Sequence, residues 1–456
     1  MKKEMFDHEI TILRDTYRRL LRRNAKINLS KLTSKTHPAD LAIVFRYFSD
    51  DEQSQIFSMM KENQNTAEFL TELDESLLKD LINSEEPQRI ASIIEKASTG
   101  DQSTILSTLD EEKVDSILSL LNKEEQEEIA ELMGYPDDSA GAIMTTEVFT
   151  LHDSITTGEA IKKLQDHEEA EMVFYLYVTD DDNRLVGVIS LRTLATTASE
   201  IKLQDIMIKR VHSVRPETDQ EDVAKVVAQY NYLAVPVVDQ DEQLIGIVTV
   251  DDIVDVIREE ATEDFLQMAG AGKDREILLK SSWGNAKARL PWLFASWIGG
   301  IIAASLIGVF KEMLESIIIL TAFIPVILGM GGNIATQSST IIVRGMATGR
   351  VDASQELKLI FKEMRVGVIL GVLYGFLLGI FAYISFPSAP KNLGLVVGLS
   401  ICTSMFIAAT VGTIIPLLLR KFNIDPAIAT GPFVTTSIDI LGVLFYFLIA
   451  GTFLSF

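Results

Sequence analysis

One carboxylate, Asp439, sits well inside the last long apolar run of the chain. There VTTSIDILGVLFYFLIAGTFLSF, starting at Val434, has no other ionisable group except Tyr446. The run can cross a hydrocarbon core of roughly 30 Å at about 1.5 Å per residue. A charge at that depth is expensive, so such residues face a bundle interior or a water path and mark ion or substrate routes. The plainer role is a hydrogen bond to a neighbouring helix. A second constellation is acidic: Asp252, Asp255, Glu259, Glu260, Glu263 and Asp264 crowd DDIVDVIREEATEDFLQM at spacings of three and four. That spacing stacks like charges on one helical face, which is destabilising unless cations intervene. A solvated helix is the plainer reading; repulsion in a connector that leads into apolar segments fits a cation sensor. A third stretch, PVILGMGGNIATQSST, puts Asn333, Thr336, Gln337, Ser338, Ser339 and Thr340 beside Gly329, Gly331 and Gly332 within an apolar segment. Polarity at that depth is tolerated next to water or another protein segment.

The elements that position these residues fall into two solvents. Of the 64 acidic and 41 basic residues, 57 and 32 precede Leu290, a net of -25, whereas the remainder carries +2. An acidic water-soluble part thus leads into an apolar part. The negative balance excludes nucleic acid as a partner, which would call for basic patches, and suits a protein that collects cations. The single cysteine, Cys402, leaves no disulfide framework or thiolate metal site, and the five histidines have no HExxH spacing. The start, MKKEMFDHEI, is too charged to continue into a signal-peptide core, so the soluble part is expected in the cytosol. No nucleophile, base and orienting group occur together, and an enzyme is not expected.

Residues 1 to about 28 alternate apolar and basic positions at helical spacing, which predicts an amphipathic helix docked on the domain that follows. From there to residue 135, units such as HPADLAIVFRYF and DQSTILSTLDEEKVDSILSLL each open on a capping residue and offer apolar positions at i, i+3, i+4. None buries its face alone, so a stacked helical array follows, with Glu111, Glu112 and Asp115 among its exposed acids.

An internal repeat spans residues 136–260. GAIMTTEVFTLHDSITTGEAIKKLQ with FYLYVTDDDNRLVGVISLRTL is echoed by QDIMIKRVHSVRPETDQEDVAKVVAQY with LAVPVVDQDEQLIGIVTVDDIVDVI. Met144 and Met207 open the copies, and Gly187 and Gly246 take equivalent places in strands after DDDN and DQDE turns. Each copy reads strand, helix, strand, turn, strand, helix. The pair resembles tandem cystathionine-β-synthase-type (CBS) modules, which commonly bind adenine nucleotides through a Gly-x-x-Ser/Thr-x-x-Asp turn. Gly246, Thr249 and Asp252 supply that turn and would take ATP; the first copy has Gly187 and Ser190 but Thr193 instead of the acid.

Five apolar segments follow, approximately 291–310, 317–341, 366–386, 393–419 and 428–454. Lys280, Lys287 and Arg289 precede the first. Arg344, Arg350, Lys358, Lys362 and Arg365 separate the second from the third, and Arg420 and Lys421 the fourth from the fifth. The other connections hold only Lys311 and Lys391. Basic clusters mark the cytoplasmic side, which places the carboxyl terminus outside. Gly367, Gly371, Gly375 and Gly379, with Gly394 and Gly398, predict a close helix crossing. Pro416, Pro426 and Pro432 free carbonyls near the ends of the last two segments.

The order of these parts resembles the MgtE family of magnesium channels and transporters over essentially the whole chain. The fold expected is a multidomain one: an all-α helical-array N-domain (1–135), an α/β tandem CBS pair (136–260), a connecting or plug helix (261–289) and a five-helix α transmembrane domain (290–456). The resemblance implies a homodimer in the cell membrane with the pore between the two membrane halves. It implies that Asp439 holds a hydrated Mg2+, with Asn333 as the GGN asparagine and Asp425 as the acid at the cytoplasmic start of the last helix. Among cytosolic magnesium ligands it implies Asp252, Asp255, Glu260, Glu263 and Asp264, with Glu111 and Asp115 from the helical domain. The chain departs from the family at Ala335, where a glycine is frequent, and at Asn231, where an acid is. A gated Mg2+ channel regulated by cytosolic Mg2+ is the leading expectation. A proton-coupled or broader divalent cation (Co2+, Mn2+) secondary transporter is the alternative, and a membrane-anchored nucleotide or metal sensor a third.

Overall fold

The computed structural model describes residues 2–166, 174–272, 281–351, 356–422 and 424–454. The chain forms two units, Met1–Ile257 and Arg258–Phe456.

The first unit opens with α1 (Lys2–Arg22), α2 (Lys26–Thr33), α3 (Pro38–Phe45), α4 (Asp50–Phe57), α5 (Gln64–Thr71), α6 (Glu75–Asn83), α7 (Pro87–Ile94), α8 (Thr99–Ser107), α9 (Glu111–Leu118) and α10 (Lys123–Leu132). Most are only two turns long, too short to persist alone. Capping side chains start several of them: Asn63, Ser98 and Asn122 each accept the backbone N–H three residues on. One continuous core holds them together, with Tyr17, Phe45, Phe57, Phe69 and Ile90 wholly buried and Phe45 edge-on to Phe69 at 5.1 Å. Tyr17 carries the amphipathic α1 into this core, and Arg18 Nη2 donates to Tyr47 O at 2.9 Å. The first helix therefore docks on the domain, as its periodicity requires.

The repeat comprises α11 (Ala140–Ile143), β1 (Thr150–His152), α12 (Thr157–Asp166), β2 (Tyr175–Thr179), β3 (Leu185–Ser190), α13 (Leu191–Thr196), α14 (Leu203–Ile206), α15 (Gln220–Tyr230), β4 (Ala234–Val238) and β5 (Leu244–Thr249). The first copy has a sheet of order β1-β2-β3, parallel then antiparallel. In the second, the first strand shrinks to one bridge, Val214 with Val237. Arg215 N turns to Thr218 Oγ1 at 3.0 Å and Pro216 has no N–H, so the ladder cannot continue.

The copies exchange their opening segments. Thr145 pairs with Ile247 and Ile208 with Val188. Met144 thereby lies under Gly246 of the second copy and Met207 under Gly187 of the first. A Cβ on either glycine would come within 2.8 Å of the methionine sulfur. Asn231, in the left-handed region at φ 55, ends α15 as its C-cap; asparagine tolerates that conformation far better than an acid with a longer side chain.

α16 (Val250–Met268) starts in the last residues of the repeat and carries Asp251 together with the six acids singled out from the sequence. The membrane-type helices are α17 (Ser282–Val309), α19 (Ile324–Ala347, entered by a 3-10 turn Ile318–Phe323), α20 (Glu356–Ser385), α21 (Leu393–Lys421) and α22 (Pro432–Phe453, entered by a 3-10 turn Pro426–Thr430). A short α18 (Lys311–Ser316) follows α17. Lys280 lies outside the described residues; Lys287 and Arg289 belong to α17 itself, and Lys358, Lys362 and Arg365 to the first turns of α20. α20 lies backbone to backbone on α21: a Cβ at Gly371, Gly375 or Gly379 would meet the carbonyl of Cys402, Gly398 or Gly394 at 2.9 Å or less. The glycine stripe thus makes the close crossing its spacing predicts.

Candidate ion path and acidic clusters

Asp439 lies half-buried two turns into α22, and among the described residues no hydrogen bond or ion pair engages it. The helix around it is fixed. A Cβ on Gly331 of α19 would lie 2.9 Å from Ile438 Cγ2 and 2.6 Å from Ser404 Oγ of α21, so α19 approaches α22 beside the carboxylate because residue 331 has no side chain. Farther out, Tyr446 Oη donates to Leu320 O at 2.8 Å, and Phe310 stacks on Phe447 at 4.7 Å.

The GGN stretch is continuous helix, with its polar residues sorted between two faces. Asn333, Gln337 and Thr340 are exposed, and nothing lies within 4 Å of where Gly329 or Gly332 would carry a Cβ. Ser338 and Ser339 are buried. Ser338 Oγ donates to Glu363 Oε2 of α20 at 2.9 Å, and Ser339 Oγ to Thr430 Oγ1 at 3.2 Å. Ala335 is wholly buried, and a Cβ on Gly412 of α21 would strike its carbonyl oxygen. The close approach that glycine would permit at 335 is supplied here from the facing helix.

Asp425 stands at the entry to α22. Its Oδ1 accepts from Ala427 N at 2.8 Å and its Oδ2 from Gln267 Nε2 at 2.7 Å. The same amide nitrogen donates to Glu263 Oε1 at 2.8 Å. Gln267 is completely buried, and among the described residues its Oε1 has no hydrogen-bond partner. Two of the expected ligands, Glu263 and Asp425, therefore meet through a residue that sequence reasoning did not single out. Glu260 and Asp264, both half-buried, lie on the same helix.

In the first unit Asp252 is half-buried. Its Oδ2 accepts from the Thr249 hydroxyl and from Thr249 N at 3.3 Å, so it closes the first turn of α16. Ser190 does the same for α13, accepting from Thr193 N at 3.1 Å. The nucleotide-type turns of both copies are thus also helix starts. Burial, with the nearby charges of Asp101 and Asp251 adding to it, pushes Asp252 up to about 6 against the opposing pull of Thr249. Asp101 is itself raised, chiefly by burial and with a contribution from Asp251. α8 brings Asp101 here: Thr99 Oγ1 and Thr146 Oγ1 share a hydrogen bond of 2.8 Å, and Gly100 fits under Met144 O. Asp255, Glu111 and Asp115 are exposed, the last two one turn apart on α9.

Among the described residues no three His, Cys, Asp or Glu side chains close into a metal cage. The acids come singly or in pairs with amide and hydroxyl oxygen nearby, a donor set suited to a hard cation that keeps much of its water. Asp101, Gln267 and Glu363 were missed from sequence, and Ser338 was singled out only as part of the polar GGN stretch. None of the three belongs to a repeated spacing, and only the capping pattern before α8 hinted at one of them.

Comparison with known proteins gives a consistent assignment. The family model MgtE, described as a divalent cation transporter, matches residues 324–449; the MgtE intracellular N domain matches 36–138, and CBS domains match 140–200 and 203–259. The chain is 35% identical over 437 residues to a magnesium transporter, MgtE, of Bacillus subtilis, covering 95% of this chain and 96% of that one. It is 37% identical over 335 residues to the protein of the same name in Thermus thermophilus, 73% of either chain. Its fold matches the crystal structure of the soluble part of a magnesium transporter with a TM-score of 0.51 at 34% identity, over 55% of this chain and 99% of that one. It also matches the cytosolic domain of the Mg2+ channel MgtE in complex with ATP, with a TM-score of 0.51 at 30% identity, over 53% and 99%.

Proposed function

The chain belongs to the MgtE family of magnesium transporters, and from that premise we propose that it is a gated Mg2+ channel, working as a homodimer with Asp439 of each copy beside the ion path. The observation that carries this reading is a half-buried carboxylate inside a membrane-length helix with no protein partner among the described residues. A charge so placed is stabilised by what passes it. One carboxylate per chain is a thin selectivity device; two-fold symmetry brings two to one axis. Mg2+ sheds water reluctantly, so a pair of carboxylates with Asn333 and the open Gly329 and Gly332 on the exposed face of α19 holds it through its hydration shell. The membrane is the cell membrane, with the soluble part cytoplasmic and the carboxyl terminus outside.

Cytosolic Mg2+ closes the channel in this proposal. Asp252 and Asp101 are charges that the folded first unit holds at a disadvantage, and two like charges about 4 Å apart repel by about 4 kcal/mol at an effective dielectric of 20. Asp255, Glu260, Glu263 and Asp264 extend the negative field along α16, and Glu111 and Asp115 along α9. Glu263, Asp425 and the unpartnered Gln267 Oε1 offer oxygen donors to the same ion. Bound Mg2+ neutralises these groups and favours the compact form by its differential affinity; α16 is the covalent link from the first unit to the second. ATP at Gly246, Thr249 and Asp252 is a second ligand for the CBS pair, supported by the ATP complex of the related cytosolic domain.

Uptake by the purified protein in liposomes tests the reading. Asp439→Ala and Asp439→Asn lose Mg2+ flux while the protein still assembles, and Asp439→Glu keeps part of it. Normal flux in Asp439→Ala removes Asp439 from the ion path. Flux that requires a proton gradient assigns the chain instead to coupled transport of Mg2+, Co2+ or Mn2+.

A further inference from the structure

Glu363 is a buried carboxylate, 5% exposed, to which the ion path as described gives no role. It continues the stripe of Gly367, Gly371, Gly375 and Gly379 at the same spacing of four, one turn toward the start of α20. The close crossing that those glycines permit therefore delivers it against the bundle interior. There it accepts the hydroxyl of Ser338, itself 3% exposed, at 2.9 Å, and this is its one polar partner among the described residues. Ser338 and Ser339, about 100° apart around α19, are tied one to α20 and the other to Thr430 before α22. Asn333 and Gln337, on the exposed face of the same helix, have no such ties among the described residues.

We propose that Glu363 is a positioning residue for conduction: through Ser338 it sets the rotation of α19, and with it the direction in which Asn333 and Gln337 face. A hydrogen bond to a carboxylate is about twice as strong as a neutral one, and where both partners are buried neither can turn to water instead. The pair thus acts as a rotational stop on a helix whose other polar ties include Ser339 to Thr430 and Ser404 to Ile327 O, neither of which engages a charged group. The proposal rests on the ion path running beside α19, but the position of α19 can be measured without any ion.

The full chain in liposomes tests it twice. With Cys402 replaced by Ala, Gln337→Cys is labelled with a membrane-impermeant thiol reagent. Glu363→Ala and Ser338→Ala change the labelling rate severalfold, whereas Glu363→Gln, whose amide oxygen still accepts from Ser338, leaves it unchanged. In Mg2+ flux, Glu363→Ala and Ser338→Ala each lose about tenfold, the equivalent of about 1.4 kcal/mol. The double variant is no worse than the poorer single, as one shared contact requires, and Glu363→Gln stays within about twofold of wild type. Should Glu363→Ala fail to assemble, Ser338→Ala, which removes one hydroxyl, carries the test. Unchanged labelling in Ser338→Ala, additive flux losses, or a Glu363→Gln as inactive as Glu363→Ala would each overturn the proposal, the last by making the charge itself the functional element. A failure of Asp439 as the permeation site changes none of the labelling outcomes.

Discussion

Replacing Asp252 with Asn should make the metal-free soluble part more stable at neutral pH. The carboxyl is raised from 3.8 to about 6 by burial and by Asp101 and Asp251. At about 1.4 kcal/mol per tenfold, that rise corresponds to at most about 3 kcal/mol. The folded state binds the proton more tightly than the unfolded chain, so stability is lost as pH rises from about 4 to about 6 and the loss is complete above that. Asn keeps an oxygen that accepts from Thr249 N and its hydroxyl, so the start of α16 survives while the charge goes. The assay is thermal or urea unfolding of residues 1–268 between pH 4 and 8, with EDTA and with millimolar Mg2+. Without metal, wild type should fall behind Asp252→Asn by up to about 3 kcal/mol between pH 4 and 7, roughly 6–12 °C in Tm for a unit of this size. Mg2+ should raise wild type at pH 7 and leave Asp252→Asn much less affected, because the ion stabilises only the form that binds it. Equal pH slopes in the two proteins, or equal responses to Mg2+, would refute the reasoning.

Two further outcomes follow from the membrane unit. Asn333→Ala should assemble and conduct with altered selectivity among divalent ions, measured by competition of Ca2+ and Mn2+ with Mg2+ uptake; unchanged selectivity makes the GGN stretch structural. Gly412→Ala should destabilise the detergent-solubilised protein by about 1–3 kcal/mol, because its methyl would enter the Ala335 carbonyl and force two helices apart. A melting temperature equal to wild type would show that α19 and α21 do not meet there.

Much of this architecture is legible in the sequence because each part carries a long periodic signal. The five apolar runs, the glycines at spacing four and the two repeat copies are redundant patterns that single residues cannot blur. Asp439 stands out because a charge is rare in such a run. Glu363 did not, because it lies three residues before the apolar segment expected to begin at 366, among Lys362 and Arg365; the helix that buries it begins at Glu356. Gln267 and Asp101 act through partners far along the chain, Asp425 and the Asp251–Asp252 pair, and no local spacing encodes those meetings. The polar stretch GGNIATQSST is ordinary helix, and its buried serines find their partners on neighbouring elements that no local spacing reveals.

The exchange of Met144 and Met207 beneath Gly246 and Gly187 also bears on how the chain is made. As the polypeptide leaves the ribosome, the first copy emerges with its sheet lacking the edge that residues around Ile208 supply, and Met144 waits for a glycine not yet synthesised. Neither half can close before the other exists, so the pair matures in one late step after β5 has emerged. α16 begins at the residue after β5. Synthesis of the acidic connector, and of the membrane helices beyond it, therefore accompanies the closing of the pair.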